Sequence, residues 1–208
     1  LEHIDGVVAC LWEYYEAYRP LVGDRLAYGG IPIDVDTLSP RPLDYEPERV
    51  KFFIGIQHDR TTIKGTDRLL ASLQRVHDRY PDLCEIEVVE NLPYNEYTHR
   101  MRSSHVLLDQ LYSYTPATNA LLAMAQGLVA VSGAEPEYYD LIGEPIHHPI
   151  VNVTPYNDED IDRQLESIIQ QQSRLPEWSH ESREFVIRNN AAQVVAERHL
   201  HFWNELLE

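Results

Sequence analysis

Val50-Lys51-Phe52-Phe53-Ile54-Gly55, continued by Ile56-Gln57-His58-Asp59-Arg60-Thr61-Thr62-Ile63-Lys64-Gly65-Thr66-Asp67-Arg68-Leu69-Leu70, is the stretch on which the fold turns. Its first five residues form an apolar run closed by Gly55, the pattern of a short buried strand. From Thr66 onward Leu69, Leu70, Leu73, Val76 and Tyr80 recur at helical spacing until Pro81 stops them. A strand, a polar loop with a glycine and a helix, in that order, make the first half of a βαβ unit.

The alternation repeats downstream. Residues 85–89, 106–108, 128–131 and 150–153 predict four more strands. Between them lie a short helix beginning near Pro93, with Tyr94, Tyr97 and Met101 on one side, a helix over 120–126 closed by Gly127, and a third over 135–142 closed by Gly143. Asn157 caps another helix, whose acidic first turn (Asp158, Glu159, Asp160) suits the positive end of its dipole. One long final helix is expected over 181–206, with Phe185, Ala192, Val195, His199, Phe202 and Leu206 near a single stripe. Five strands alternating with helices imply right-handed crossovers and a parallel sheet covered on both faces, an α/β, doubly wound, Rossmann-like domain.

Upstream, residues 6–10 are strand-like, 11–18 helix-like and 26–28 strand-like again, the tail of another α/β unit. Ser39-Pro40-Arg41-Pro42 and Glu46-Pro47 form a proline-stiffened linker. We therefore read residues 1–38 as the end of a truncated N-terminal α/β domain, 39–49 as linker, and 50–208 as the Rossmann-like domain with its long C-terminal helix. The first residue is Leu1 and the methionines are Met101 and Met124, so further sequence is expected upstream.

The 208 residues carry 17 Lys+Arg against 34 Asp+Glu, a net charge of −17, with 43% hydrophobic content. That balance excludes a disordered or fibrous chain and argues against nucleic acid or anionic lipid as partner, because no basic stripe interrupts the negative field. No apolar run approaches the about 18 residues of a membrane helix, and no signal-peptide pattern opens the chain. Cys10 and Cys84 lie in apolar runs without metal or redox spacing, so both are expected as buried reduced thiols in a reducing compartment.

In an open parallel sheet, ligands bind where loops leave the carboxyl ends of strands and enter helices. The loop before Thr66 brings Arg60, Lys64 and Gly65 to a helix start, where free N–H groups and full positive charges suit a phosphate. A solvated loop whose cations balance nearby acids is the plainer alternative. The loop 109–119 is dense in hydroxyl and amide groups, including Asp109, Tyr114, Thr118 and Asn119, and suits a polar ligand such as a sugar. Other candidates are slighter. His58 and His105 flank these loops, His147-His148 lacks a third metal ligand, and Asp34-Val35-Asp36 lies toward the linker, where a turn explains it.

The residues Lys64-Gly65-Thr66-Asp67-Arg68-Leu69-Leu70, the run Ala123-Met124-Ala125-Gln126-Gly127-Leu128-Val129-Ala130-Val131-Ser132-Gly133, and Glu135-Pro136-Glu137 resemble the C-terminal, donor-binding half of retaining GT-B glycosyltransferases of the glycogen-synthase-like superfamily. The likeness runs from Val50 to Leu206, about three quarters of the chain, and Ile31-Pro32-Ile33-Asp34 is similar to the segment that joins the two domains of such enzymes. It implies that residues 1–38 end an acceptor domain. It also implies that Lys64 and an arginine hold the diphosphate of a nucleotide-diphosphate sugar beside Gly65, helped by helix amides. Glu135 and Glu137 fall where the family places a donor-side glutamate loop, with a helix-start charge as the equal alternative, and Asp109, Tyr114, Thr118 and Asn119 are the nearby groups expected to contact the donor in place of the family's missing carboxylates. Lys64 matches the motif. Arg60 matches less closely, since the family's arginine lies a residue or so upstream, where Asp59 stands. The family's Glu-x7-Glu pair is absent, with Tyr114 and Leu122 in its places.

The implied reaction is sugar transfer to an acceptor hydroxyl with retention of configuration, as in polysaccharide biosynthesis. Lys64, Arg60 and the amides would stabilise charge on the departing diphosphate. No metal or other cofactor is required by that scheme. The implied location is cytoplasmic, or peripheral to the inner face of a membrane, and the fragment alone is expected to be inactive without its N-terminal domain. Two alternatives stay open, a binding or scaffold domain that lost catalysis with its glutamates, and a sugar-nucleotide epimerase of the same fold.

Overall fold

Short apolar runs bounded by turns form strands when both faces can be covered, and here helices supply the cover. The computed structural model describes residues 3–40, 43 and 45–207; Leu1, Arg41 and Pro42, named above, lie outside the described residues. In chain order the elements are β1 (Val7–Ala9), α1 (Trp12–Val22), β2 (Leu26–Tyr28), β3 (Val50–Ile56), α2 (Thr61–Lys64), α3 (Thr66–Arg79), β4 (Cys84–Glu90), α4 (Tyr94–Met101) and β5 (Val106–Leu108). They continue with α5 (Thr118–Ala125), β6 (Val129–Ser132), α6 (Pro136–Ile142), β7 (Val151–Asn152), α7 (Asp158–Gln170), α8 (Leu175–Asn190) and α9 (Ala192–Leu207). The five strands of the main sheet are all parallel, in the order β4-β3-β5-β6-β7, which makes this an α/β Rossmann-like fold.

Alternate side chains of each strand serve opposite faces. Val50, Phe52, Ile54, Val106, Leu108, Val129 and Val131 point to a core closed by Leu69, Leu73 and Val76 of α3 and by Ile161, Leu165 and Ile168 of α7. On the other face, Phe53 and Leu107 meet Met101 of α4, and Ala130 meets α5, Tyr138 and Tyr139 of α6, and Phe185 and Val186 of α8. Linker residue Leu43 is buried against the α3/α7 side, so this part of the linker is docked on the domain.

Across the α3–α7 seam, Asp162 accepts from Arg75 Nε at 3.0 Å and Nη2 at 2.7 Å, and from Arg79 Nη2 at 2.8 Å. Burial alone would raise the Asp162 carboxyl, but the hydrogen bonds from Arg75 and Ser72 and the charges of Arg75 and Arg79 outweigh it and hold the group below its usual range. A carboxylate depressed in the folded state stabilises above its unfolded value, about 3.9, and that contribution is lost as pH falls through the folded value. Both arginines are nearly half exposed and can return to water. Asp162→Ala is therefore expected to cost about 1–2 kcal/mol at pH 7, read as a lower urea midpoint, with the gap to wild type closing in acid.

The sequence reading needs two corrections. The single helix expected over 181–206 is two helices, starting earlier, at Leu175, and broken at Ala191, whose extended backbone (φ −53°, ψ 137°) leaves the helix. The break is filled from far away in sequence. Ile33 N–H donates to Asn190 C=O at 2.7 Å and Ala192 N–H donates to Ile33 C=O at 2.9 Å, while Asn190 Nδ2 reaches Ile31 C=O at 3.0 Å. Cys84 is buried as expected, but Cys10 is exposed.

The parallel pair β1–β2 and helix α1 form a small βαβ unit around Ala9, Val22 and Leu26. Helix α9 reaches this unit, placing Phe202 and Leu206 on Gly6 and His199 on Gly29. Among the described residues no helix is long and apolar enough to cross a membrane.

Candidate functional site

The chain runs from β3 outward to β4 on one side, then returns to place β5 on the other side of β3. This reversal separates the loops that follow β3 and β5 and opens a crevice at the carboxyl edge of the sheet. The loop after β3 closes with one helical turn, α2, whose C-cap is Gly65 at φ +70°. An added Cβ there would meet Leu111 Cβ and Tyr112 Cε2, each at 2.9 Å, so glycine is required both by the left-handed backbone and by the close approach of the second loop. The turn directs Lys64 back across the strand ends.

Lys64 Nζ donates to Asp109 Oδ1 at 3.0 Å, and Asn119 Nδ2 donates to the same oxygen at 3.1 Å. Asn119 Oδ1 accepts from the Tyr97 hydroxyl at 3.0 Å. The backbones are stitched as well, since Leu111 N–H donates to Lys64 C=O at 2.7 Å. Asp109 is 2% exposed and its Oδ2 is buried without a hydrogen-bond partner, so this carboxylate depends on Lys64 and Asn119. Lys64 keeps 19% of its side chain exposed. Burial pushes the Tyr97 phenol well above its usual range, the hydrogen bond with Asn119 opposes that only in part, and Tyr97 stays neutral.

A cleft of about 500 Å³ opens beside this network. Lys64, Asp59, Thr118 and Asn119 supply polar wall, whereas Val89, Leu92, Tyr94, Tyr97 and Leu122 supply apolar and aromatic wall. Helix α5 begins at the cleft, and no side chain caps it at Ala117, so its first-turn amides are available to an anion. The arrangement suits a ligand with a negative group beside a flat ring.

Of the residues expected from sequence, the structure brings together Lys64, Gly65, Asp109, Thr118 and Asn119. It leaves three aside. Arg60 is exposed at the N-cap of α2 and the cleft wall of that loop is Gln57 and Asp59, so the second cation does not converge with Lys64. Tyr114 stacks on Trp12, with ring centroids 4.6 Å apart, and its phenol is raised by Tyr156 and, more weakly, by Glu137 and Glu135. Glu135 is the N-cap of α6, where its N–H donates to Tyr114 C=O at 3.0 Å. His105 stands at the opposite, amino edge, where its Nδ1 accepts from Lys51 N–H at 3.0 Å, and exposed His58 pairs with Glu90. His148 stacks on Tyr139 at 3.8 Å, and among the described residues no three His, Cys, Asp or Glu side chains converge as metal ligands.

Sequence reasoning missed Tyr97 and Asn91 as cleft residues. Gly55 inside a strand is the signal for the first, because an added Cβ would lie 2.4 Å from the Tyr97 ring. Asn91 lines the cleft with φ +47°, a left-handed conformation that asparagine tolerates better than most residues.

No family model matches this sequence, and no curated protein matches it. Solved structures do resemble it in three dimensions. TarM of S. aureus, as a point mutant in complex with fondaparinux, α-GlcNAc-glycerol and UDP, superposes with a TM-score of 0.69 at 11% identity, over 98% of this chain and 44% of that one. Sucrose-phosphate synthase of Thermosynechococcus elongatus gives 0.68 at 13% identity, over 100% and 59%. HepE of Anabaena, with UDP and glucose, gives 0.67 at 9% identity, over 97% and 63%. The chain thus spans 44% to 63% of these proteins, and what it shares with them is the GT-B fold.

Proposed function

We propose that this chain is the donor-binding part of a retaining glycosyltransferase that takes a nucleotide-diphosphate sugar. The observation that carries the proposal is the convergence of Lys64, Asn119 and the uncapped start of α5 on one cleft at the topological switch point. UDP in the structures of TarM and HepE, which share the fold, supports the choice of ligand.

In this reading the diphosphate lies across the α5 N-terminus against Lys64, and the nucleoside occupies the wall formed by Tyr94, Tyr97, Leu92 and Leu122. Asp109, itself held by Asn119, keeps the ammonium in place, and Arg60, exposed on the same loop and outside the cleft wall, would have to turn inward to serve the donor as a second cation. During transfer the bond between the sugar's anomeric carbon and the diphosphate oxygen breaks. The acceptor hydroxyl bonds through its oxygen to that carbon on the same face and gives its proton to the departing diphosphate oxygen, and the negative charge that remains on the diphosphate is stabilised by Lys64 and the amides. Residues 1–38 are then the end of the acceptor domain, which completes the cleft. No metal enters this scheme.

One observation favours a second reading, a domain that binds without catalysing. Leu122 lines the cleft where the resemblance expects a carboxylate, and it offers no acceptor to a sugar hydroxyl. Calorimetric titration with UDP, GDP and their sugars is the test. Saturable binding of one nucleotide is expected, and silence toward all of them would sink both the enzyme reading and its ligand. With the longer gene product, sugar transfer that requires an acceptor favours the transferase, whereas alteration of the donor alone favours an epimerase.

A further inference from the structure

Three successive residues of the loop after β5 aim their donors at one side chain of α1. Glu13 Oε1 accepts from Ser113 Oγ at 2.6 Å and from Tyr114 N–H at 2.6 Å, and Glu13 Oε2 accepts from Thr115 Oγ1 at 2.8 Å. The next residue back strengthens the contact, because Trp12 N–H donates to Thr115 Oγ1 at 3.0 Å and the Trp12 ring stacks on Tyr114. Glu13 stands about a hundred positions away in sequence from the loop it meets, in the small βαβ unit rather than in the main sheet.

The loop is held from behind as firmly. Gly133 N–H donates to Gln110 C=O and Glu135 N–H to Tyr114 C=O, each at 3.0 Å. It leads, within four residues of Thr115, into Thr118 and Asn119, which line the cleft, and Asn119 reaches Asp109 and through it Lys64. Charge-assisted hydrogen bonds of this length are the strong ones, and a carboxylate that gathers three donors fixes their relative positions.

We infer that Glu13 is a positioning residue for the cleft: its carboxylate, gripped by Ser113, Tyr114 and Thr115, latches the small βαβ unit to the 113–119 segment and so sets where the start of α5 stands. Glu13 does not line the cleft and acts through the loop. Its effect on the loop stands on these contacts alone, whereas its effect on nucleotide affinity rests on the proposed function.

Glu13→Ala and Glu13→Gln test it, with two measurements on the 208-residue chain. In the absence of any nucleotide, amide hydrogen exchange across 113–119 is expected to quicken at least about tenfold in Glu13→Ala, from loss of a strong hydrogen bond to the Tyr114 amide, while α3 and α7 amides keep their protection. Glu13→Gln, which retains one acceptor oxygen, should fall between. UDP affinity should drop in the same order, at temperatures where all three proteins are folded. A general loss of packing would quicken exchange everywhere and would not be rescued in part by glutamine. Unchanged exchange at 113–119 in Glu13→Ala overturns the inference, as does quickened exchange with unaltered UDP affinity. Failure of wild type to bind UDP sinks the nucleotide reading instead, and leaves the exchange measurement to decide on Glu13.

Discussion

Lys64→Ala is expected to abolish saturable UDP binding, raising Kd at least about a hundredfold, which corresponds to about 2.7 kcal/mol. The ammonium is the one full positive charge that the structure brings to the polar wall of the cleft among the described residues, and without it the start of α5 faces the diphosphate alone. The same change should also weaken the fold. Asp109 is 2% exposed, and removing Lys64 leaves a buried carboxylate with Asn119 as its remaining side-chain donor, a defect of about 3–5 kcal/mol. Loss of binding through unfolding therefore has to be separated from loss of binding through missing charge. The double variant Lys64→Met with Asp109→Asn removes both charges and should recover most of the thermal stability without recovering UDP binding. A stable double variant that binds UDP like wild type would show that the ammonium does not hold the ligand.

Gly133→Ala is the second large effect. An added Cβ would sit 1.8 Å from the carbonyl oxygen of Ser113, and both partners are backbone, so no side-chain rotation relieves the clash. The loop after β5 must move as a whole, out of its bonds to Gly133, Glu135 and Glu13. We expect a loss of about 3 kcal/mol, seen as a melting temperature lower by about 10 °C. Nucleotide affinity should fall too, even well below that temperature, because displacing 113–117 moves Thr118 and Asn119. A variant that melts and binds like wild type would mean that the approach of Gly133 to Ser113 has no functional weight.

The sequence displayed the sheet because continuous apolar runs such as Val106-Leu107-Leu108 have few other fates than a strand covered on both faces. It pointed to Lys64, Asp109, Thr118 and Asn119 because loops that follow strands in such a sheet meet at one edge. It could not show that Lys64 pairs with Asp109, since that depends on β5 lying beside β3, a matter of strand order rather than of local pattern. Arg60 looked equivalent to Lys64 by charge and spacing, yet one turn of helix carries it outward. The break at Ala191 was hidden because hydrophobic periodicity continues through it. Asn189-Asn190, with weak helix propensity, was the local sign, and the partner that makes the break, Ile33, is remote. Glu13 was equally out of reach, as a single acid on a helix whose target lies across the molecule.

The insertion of Ile33 between α8 and α9 has a bearing on how the polypeptide is made. The small βαβ unit is translated before its cover, the 16 residues of α9, which follow more than 150 residues later. Until then the face that Phe202, Leu206 and His199 cover is open, and ribosome-bound intermediates should present it to chaperones. Closing so long a loop should make docking of α9 a slow, late event of maturation.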